Sequence, residues 1–99
     1  MTTLKQLRDA IDTVDDAVIT LLAERFEITR RIGELKAEQG LAGKDPQREA
    51  QQVERLCNLA NRHGLAPELA QAYLSLIIEH VLKNHQALAA TYKRSSPPS

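Results

Sequence analysis

Ninety-nine residues amount to one domain, and 42% hydrophobic with 26% charged side chains is an ordinary composition for a soluble globular chain. Thirteen Lys and Arg offset thirteen Asp and Glu, so the chain carries no broad positive field for nucleic acid or an anionic membrane. Aromatics at 3% without Trp exclude base-stacking platforms, and one cysteine, Cys57, excludes an internal disulfide or a thiolate metal centre and fits a reducing cytoplasm.

The opening residues, Met1 to Asp9, lack the apolar stretch of a secretory leader, and no apolar run approaches the roughly 20 residues of a membrane span. From Leu4 to Glu38 the only breaker is Gly33. Apolar residues recur at Leu4, Leu7, Ile11, Val14, Val18 and Leu21, then at Ile28, Ile32 and Leu35. Steps of three and four predict one long helix over about 4–38 with a continuous packing seam. Gly40 and Gly43 close it. Asp45-Pro46 reads as an N-cap followed by proline at the first helical position, opening a second helix over about 46–63. Val53, Leu56 and Ala60 share its apolar side, and Gly64 takes the C′ position. Pro67 opens a third helix to about 92, whose seam runs through Leu74, Ile78, Val81, Leu88 and Tyr92. Residues 1–93 thus form one all-α domain, with 94–99 expected as a disordered Ser/Pro tail.

A first helix of about 35 residues is a rod of roughly 52 Å at 1.5 Å per residue. A compact domain of about 100 residues is only roughly 33 Å across. The shorter helices cannot cover a seam of that length, so a partner must. The spacing therefore predicts an all-α homodimer, six helices in all, with the long ones shared between protomers.

Two polar residues fall on the seams. The step after Leu21 is Arg25, and the step after Val81 is His85, each with apolar residues on both sides. A guanidinium in such a place costs several kcal/mol unless an anion pairs with it. A structural ion pair or a register device across the dimer would account for Arg25, and a hydrogen-bonded core histidine for His85. Together they mark a polar hole in an otherwise dry bundle. Lys36 follows Arg25 by 11 residues, which puts it on nearly the same side roughly 16 Å away. Arg8 precedes Arg25 by 17 residues, roughly 25 Å along the axis, too far for one small ligand to touch both in one chain. Arg8 would instead serve the partner's cavity. Arg48 and Glu49 stand in the first turn of the second helix beside Asp45. Cations around one acid, without a nucleophile set, a metal-ligand spacing or a phosphate loop, suit a small dicarboxylate held by arginine forks. No cofactor and no metal are called for.

Five segments carry a family resemblance: Leu7-Arg8-Asp9 to Asp15, Leu21 to Arg25, Ile32-Gly33-Glu34-Leu35-Lys36, Asp45 to Glu49, and Leu76 to Glu79. Together they resemble the all-helical chorismate mutases of the AroQ class, over residues 4 to about 90. The resemblance implies an intertwined dimer with two sites that rearrange chorismate to prephenate by an intramolecular [3,3] shift without cofactor, for phenylalanine and tyrosine synthesis. It gives carboxylate binding to Arg25 and to Arg8 of the neighbouring protomer, and contact with a carboxylate and the ether oxygen to Lys36. It makes Asp45 a ligand-contacting loop residue, Arg48 a supporting arginine and Glu49 the acid that receives the ring hydroxyl. Lys36, His85 and Arg25 are then the catalytic set, with Val81 and His85 completing the substrate pocket.

Two positions depart from the familiar members, which have glutamine where His85 stands and serine where Val81 stands. Valine loses a hydroxyl contact, and histidine donates best as a cation. An isochorismate-pyruvate lyase and a 4-amino-4-deoxychorismate mutase share the scaffold and stand as alternative activities. A non-catalytic helical dimerisation module would have no use for the seam cations.

Overall fold

The computed structural model describes residues 1–41 and 45–95, with side chains except at 85, 88, 89 and 91–95. Three helices follow one another: α1 (Leu4–Gln39), α2 (Pro46–Arg62) and α3 (Pro67–Ser95). The all-α, three-helix expectation holds. Gly43, the segment 96–99 and the side chains of His85, Leu88 and Tyr92 lie outside the described residues.

Each boundary has a local cause. Thr3 caps α1 in a reciprocal box, its hydroxyl accepting from the Gln6 N–H while Gln6 Oε1 accepts from the Thr3 N–H at 2.8 Å. The α1 C-terminus closes at Gly40, in the left-handed region at φ 68°, and the Leu41 N–H reaches back to the Lys36 carbonyl at 2.8 Å. Gly64 repeats this after α2, with φ 71° and Leu65 N–H donating to the Ala60 carbonyl. Because His63 is the cap residue, α2 ends one residue earlier than expected. α3 runs to Ser95, past the expected end at 92 and into the expected tail. After Pro67 the next proline is Pro97, and no glycine intervenes, so nothing in the sequence stops α3 sooner.

α3 packs against both α1 and α2, while α1 and α2 do not pack on each other among the described residues. The buried apolar core is small: Leu74 (1% exposed) and Ile77 of α3, and Ala60 of α2. On α1 the residues withdrawn from water are Leu22, Arg25, Phe26, Thr29, Gly33, Lys36 and Ala37, all in its C-terminal half. Apart from Arg25, which falls on the apolar seam, they form a stripe beside it. Gly33 is the one buried residue of α1. The seam itself stays open, with Leu4, Leu7, Ile11, Val14, Val18 and Leu21 each about half exposed.

The dimensions agree with an uncovered frame. The chain is 71 × 27 × 15 Å with a radius of gyration of 18.0 Å, against about 13 Å for a compact chain of this length. The thinnest dimension is that of two helices packed about 9 Å apart, so no helix can be enclosed on every side.

Candidate active site

One cleft of about 280 Å³ opens between α1 and α2 over α3. α1 and α2 each pack on α3 and not along each other, and the cleft is the space between their facing sides, crossed by a side-chain hydrogen bond from Arg25 to Gln52. α1 contributes Arg25, Ile28, Thr29, Ile32 and Lys36, whose spacing of three, four and seven places them along one side of a helix. α2 contributes Asp45, Arg48, Glu49 and Gln52 from its cap and first two turns. α3 lays down an apolar floor of Ile77, Ile78, Val81 and Leu82. The volume suits a small molecule of ring size, at the lower end of ligand cavities.

Of the sequence-predicted site residues, Arg25, Lys36, Asp45, Arg48, Glu49 and Val81 all line this cleft. Arg8 does not; it lies on the exposed N-terminal part of α1, seventeen residues before Arg25. The side chain of His85 is outside the described residues, although α3 carries position 85 one turn beyond Val81.

Arg25 is the centre of the electrostatics. Its Nη2 donates to Gln52 Oε1 at 3.2 Å, and its Nη1 is buried with no hydrogen-bond partner. The expected structural alternative, an ion pair within the chain, is not what the described residues show: the partner of Arg25 is a neutral amide. A buried donor on a cation left unpaired costs on the order of 1–3 kcal/mol or more. The carboxylate of Asp45 accepts from the Arg48 backbone N–H at 3.1 Å, capping α2, and so is already engaged. Glu49 lies in the first turn of α2, where the helix dipole favours an acid. Three cations face two acids, leaving one formal positive charge from this chain.

The other ion pairs stand on exposed faces. Lys5 bonds Asp9, Lys83 lies near Glu79, and Arg30 binds both Glu27 and Glu34. The hydrogen bond from Arg30 holds the Glu27 carboxyl below its ordinary range, yet both are solvent-exposed and outside the cleft. Among the described residues no group of His, Cys, Asp and Glu is placed to hold a metal, and no helix is long and apolar enough to cross a membrane.

Sequence reasoning missed Gln52 and Thr29. Gln52 follows Glu49 by three residues on α2, a spacing that puts the two side by side. That signal was present, but a glutamine in a charged helix reads as surface. The Thr29 hydroxyl donates to the Phe26 carbonyl at 3.0 Å, so it is tied to its own helix and is no nucleophile.

A three-helix frame that sets three cations and two acids over an apolar floor, with one buried guanidinium donor unpartnered, is equipped for binding and field rather than for a covalent intermediate. Comparison with known proteins gives the family. The model of chorismate mutase type II matches residues 7–86, and the chain belongs to that family. It is 29% identical over 77 residues to a chorismate mutase of Methanocaldococcus jannaschii, covering 78% of each chain. It is 37% identical over 75 residues to a T-protein of Enterobacter agglomerans, covering 76% of this chain and 20% of that one. To a bifunctional chorismate mutase/prephenate dehydratase of Escherichia coli it is 34% identical over 85 residues, covering 86% of this chain and 22% of that one. The chain therefore spans about a fifth of the length of these two larger relatives and most of the archaeal one.

Proposed function

We propose that this chain is a chorismate mutase that converts chorismate to prephenate in aromatic amino acid synthesis, as a cytoplasmic homodimer in which Arg8 of each protomer completes the other's cleft. The observation that carries this reading is the buried, unpartnered Nη1 of Arg25 in a cleft that also presents Lys36 and Arg48. A cation kept there without a counter-ion is accounted for by an anionic guest. The single net positive charge of the cleft becomes two with Arg8 of the partner, which balances a dicarboxylate.

Chorismate is a flexible dianion whose termini bond only after it folds into a compact diaxial shape. Arg25 and the partner's Arg8 hold its carboxylates, the isoleucine floor excludes water beneath the ring, and Glu49 receives the ring hydroxyl. Fixing that shape supplies the orientational part of the acceleration. As the C–O bond breaks, negative charge grows on the ether oxygen. Lys36 and His85 donate there and stabilise the transition state more than the bound substrate. No atom enters or leaves, so no cofactor is needed.

Incubation with chorismate is expected to yield prephenate, and incubation with isochorismate to yield no pyruvate. Pyruvate release would assign the lyase reaction to this scaffold, and turnover of neither compound would overturn the reading.

The histidine at position 85 gives the reaction a pH signature. A cationic imidazole donates to the ether oxygen more strongly than a neutral one. Activity is expected to fall as pH rises across about 5 to 8, and His85→Gln, a neutral donor throughout, is expected to flatten the profile. A level wild-type profile over that range would remove the cationic donor from the mechanism.

A further inference from the structure

Gln52 is the residue whose chemistry the proposed reaction has not yet used. It is half-buried on α2, lines the cleft, and makes the hydrogen bond that links the α1 and α2 walls. A guanidinium has five donors and no acceptor, so only the oxygen end of the amide can face Arg25. The orientation of Gln52 is therefore fixed by its partner. Arg25 in turn has a long, freely rotating stem, and the same bond is what holds its planar head across the cleft. With Nη2 engaged by a neutral oxygen, the guanidinium keeps its full charge, and Nη1 is the end left without a partner. A carboxylate at position 52 would orient the head equally well but would neutralise it. An apolar residue there would leave it charged but unfixed. Of the three, an amide alone gives both fixed orientation and retained charge.

We propose that Gln52 is the positioning residue of the substrate-carboxylate site: it orients Arg25 without discharging it, and so sets affinity for the anionic substrate. This rests on the function proposed above. Arg25 grips the carboxylate in the bound substrate and in the transition state alike, so loss of its orientation weakens both equally. Such a change raises KM and leaves kcat nearly as it was.

Two variants test this with chorismate as substrate. Gln52→Leu is expected to raise KM about tenfold, the worth of one hydrogen bond to a charged group, with kcat within about threefold of wild type. Gln52→Glu is expected to raise KM at pH 7 at least as much while holding or raising thermal stability, because a carboxylate beside Arg25 pairs with the guanidinium and discharges it, and the cation in turn keeps that carboxylate ionised. The charged groups of the described cleft around that carboxylate are Arg25 and Lys36 from α1 and Asp45, Arg48 and Glu49 from α2; α3 faces it with Ile77, Ile78, Val81 and Leu82. A role in folding alone would lower thermal stability and the active fraction, hence apparent kcat, in both variants, and would leave KM unchanged. An unchanged KM in either variant would overturn the proposal. A wild-type protein inert toward chorismate would instead overturn the function on which it stands.

Discussion

Arg25→Leu is expected to reduce kcat/KM by two to three orders of magnitude while leaving the folded protein as stable as the wild type, or more so. The two halves of this expectation have separate causes. Removing one preorganised charged donor from a water-poor site costs about 3–4 kcal/mol of transition-state binding, and Arg25 is the donor whose Nη1 has nothing else to bind. In the unliganded protein the same Nη1 is a penalty, because its burial is not offset by a partner. Leucine removes that penalty and extends the seam between Leu21 and Ile28. It strands only the Gln52 oxygen, which belongs to a half-buried residue. Thermal melts separate the outcomes: the wild type should gain stability from a dianionic mimic of the rearranging substrate, and the variant should not. Arg25→Lys keeps the charge but loses the fork, and should fall between the two. An Arg25→Leu protein that unfolds would make this arginine a structural element after all.

The three helices were legible because their signals are local. Breakers, caps and a three-and-four spacing mark Leu4–Gln39 and Pro46–Arg62 to within a residue or two. Less was legible in how α1 packs. The strongest apolar pattern, through Leu7, Ile11 and Val14, is the face left exposed in the single chain. The face that turns inward carries Thr29, Gly33 and Ala37, small or polar residues that score poorly as core. A helix with two packing faces shows only its more hydrophobic one in a periodicity count. The cleft followed from the misplaced arginine, since a charge on a seam is a rule broken for a reason. Gln52 broke no rule. Its three-residue step from Glu49 puts it on the same side of α2, but its place beside Arg25 depends on how α2 lies across α3, a tertiary fact.

The exposed seam also bears on the proposal that Arg8 of a second copy completes the cleft. Seven exposed Leu, Ile and Val side chains run from Leu4 to Leu21, six of them on the seam, and burying the remainder of each of those six contributes on the order of 1 kcal/mol. A second copy laid along this half of α1 would bury them, and would carry Arg8, which sits one residue after Leu7, toward the partner's cleft. Arg8→Ala should then depress kcat/KM by more than a hundredfold, as loss of one charged carboxylate donor does. Co-refolding this variant with Arg25→Leu provides the decisive measurement. In a mixed dimer one cleft combines the intact Arg25 of one chain with the intact Arg8 of the other, and the second cleft lacks both. Random assortment makes about half of all dimers mixed, so the sample should regain about a quarter of wild-type activity from two nearly dead parents. If Arg8 acted within its own chain, every cleft would still lack an essential group and activity would stay at the parental level; if it took no part, Arg8→Ala alone would keep wild-type activity. Size-exclusion chromatography of the same samples shows whether they are dimers, and a mixed dimer that regains nothing would remove the partner's Arg8 from the proposed cleft.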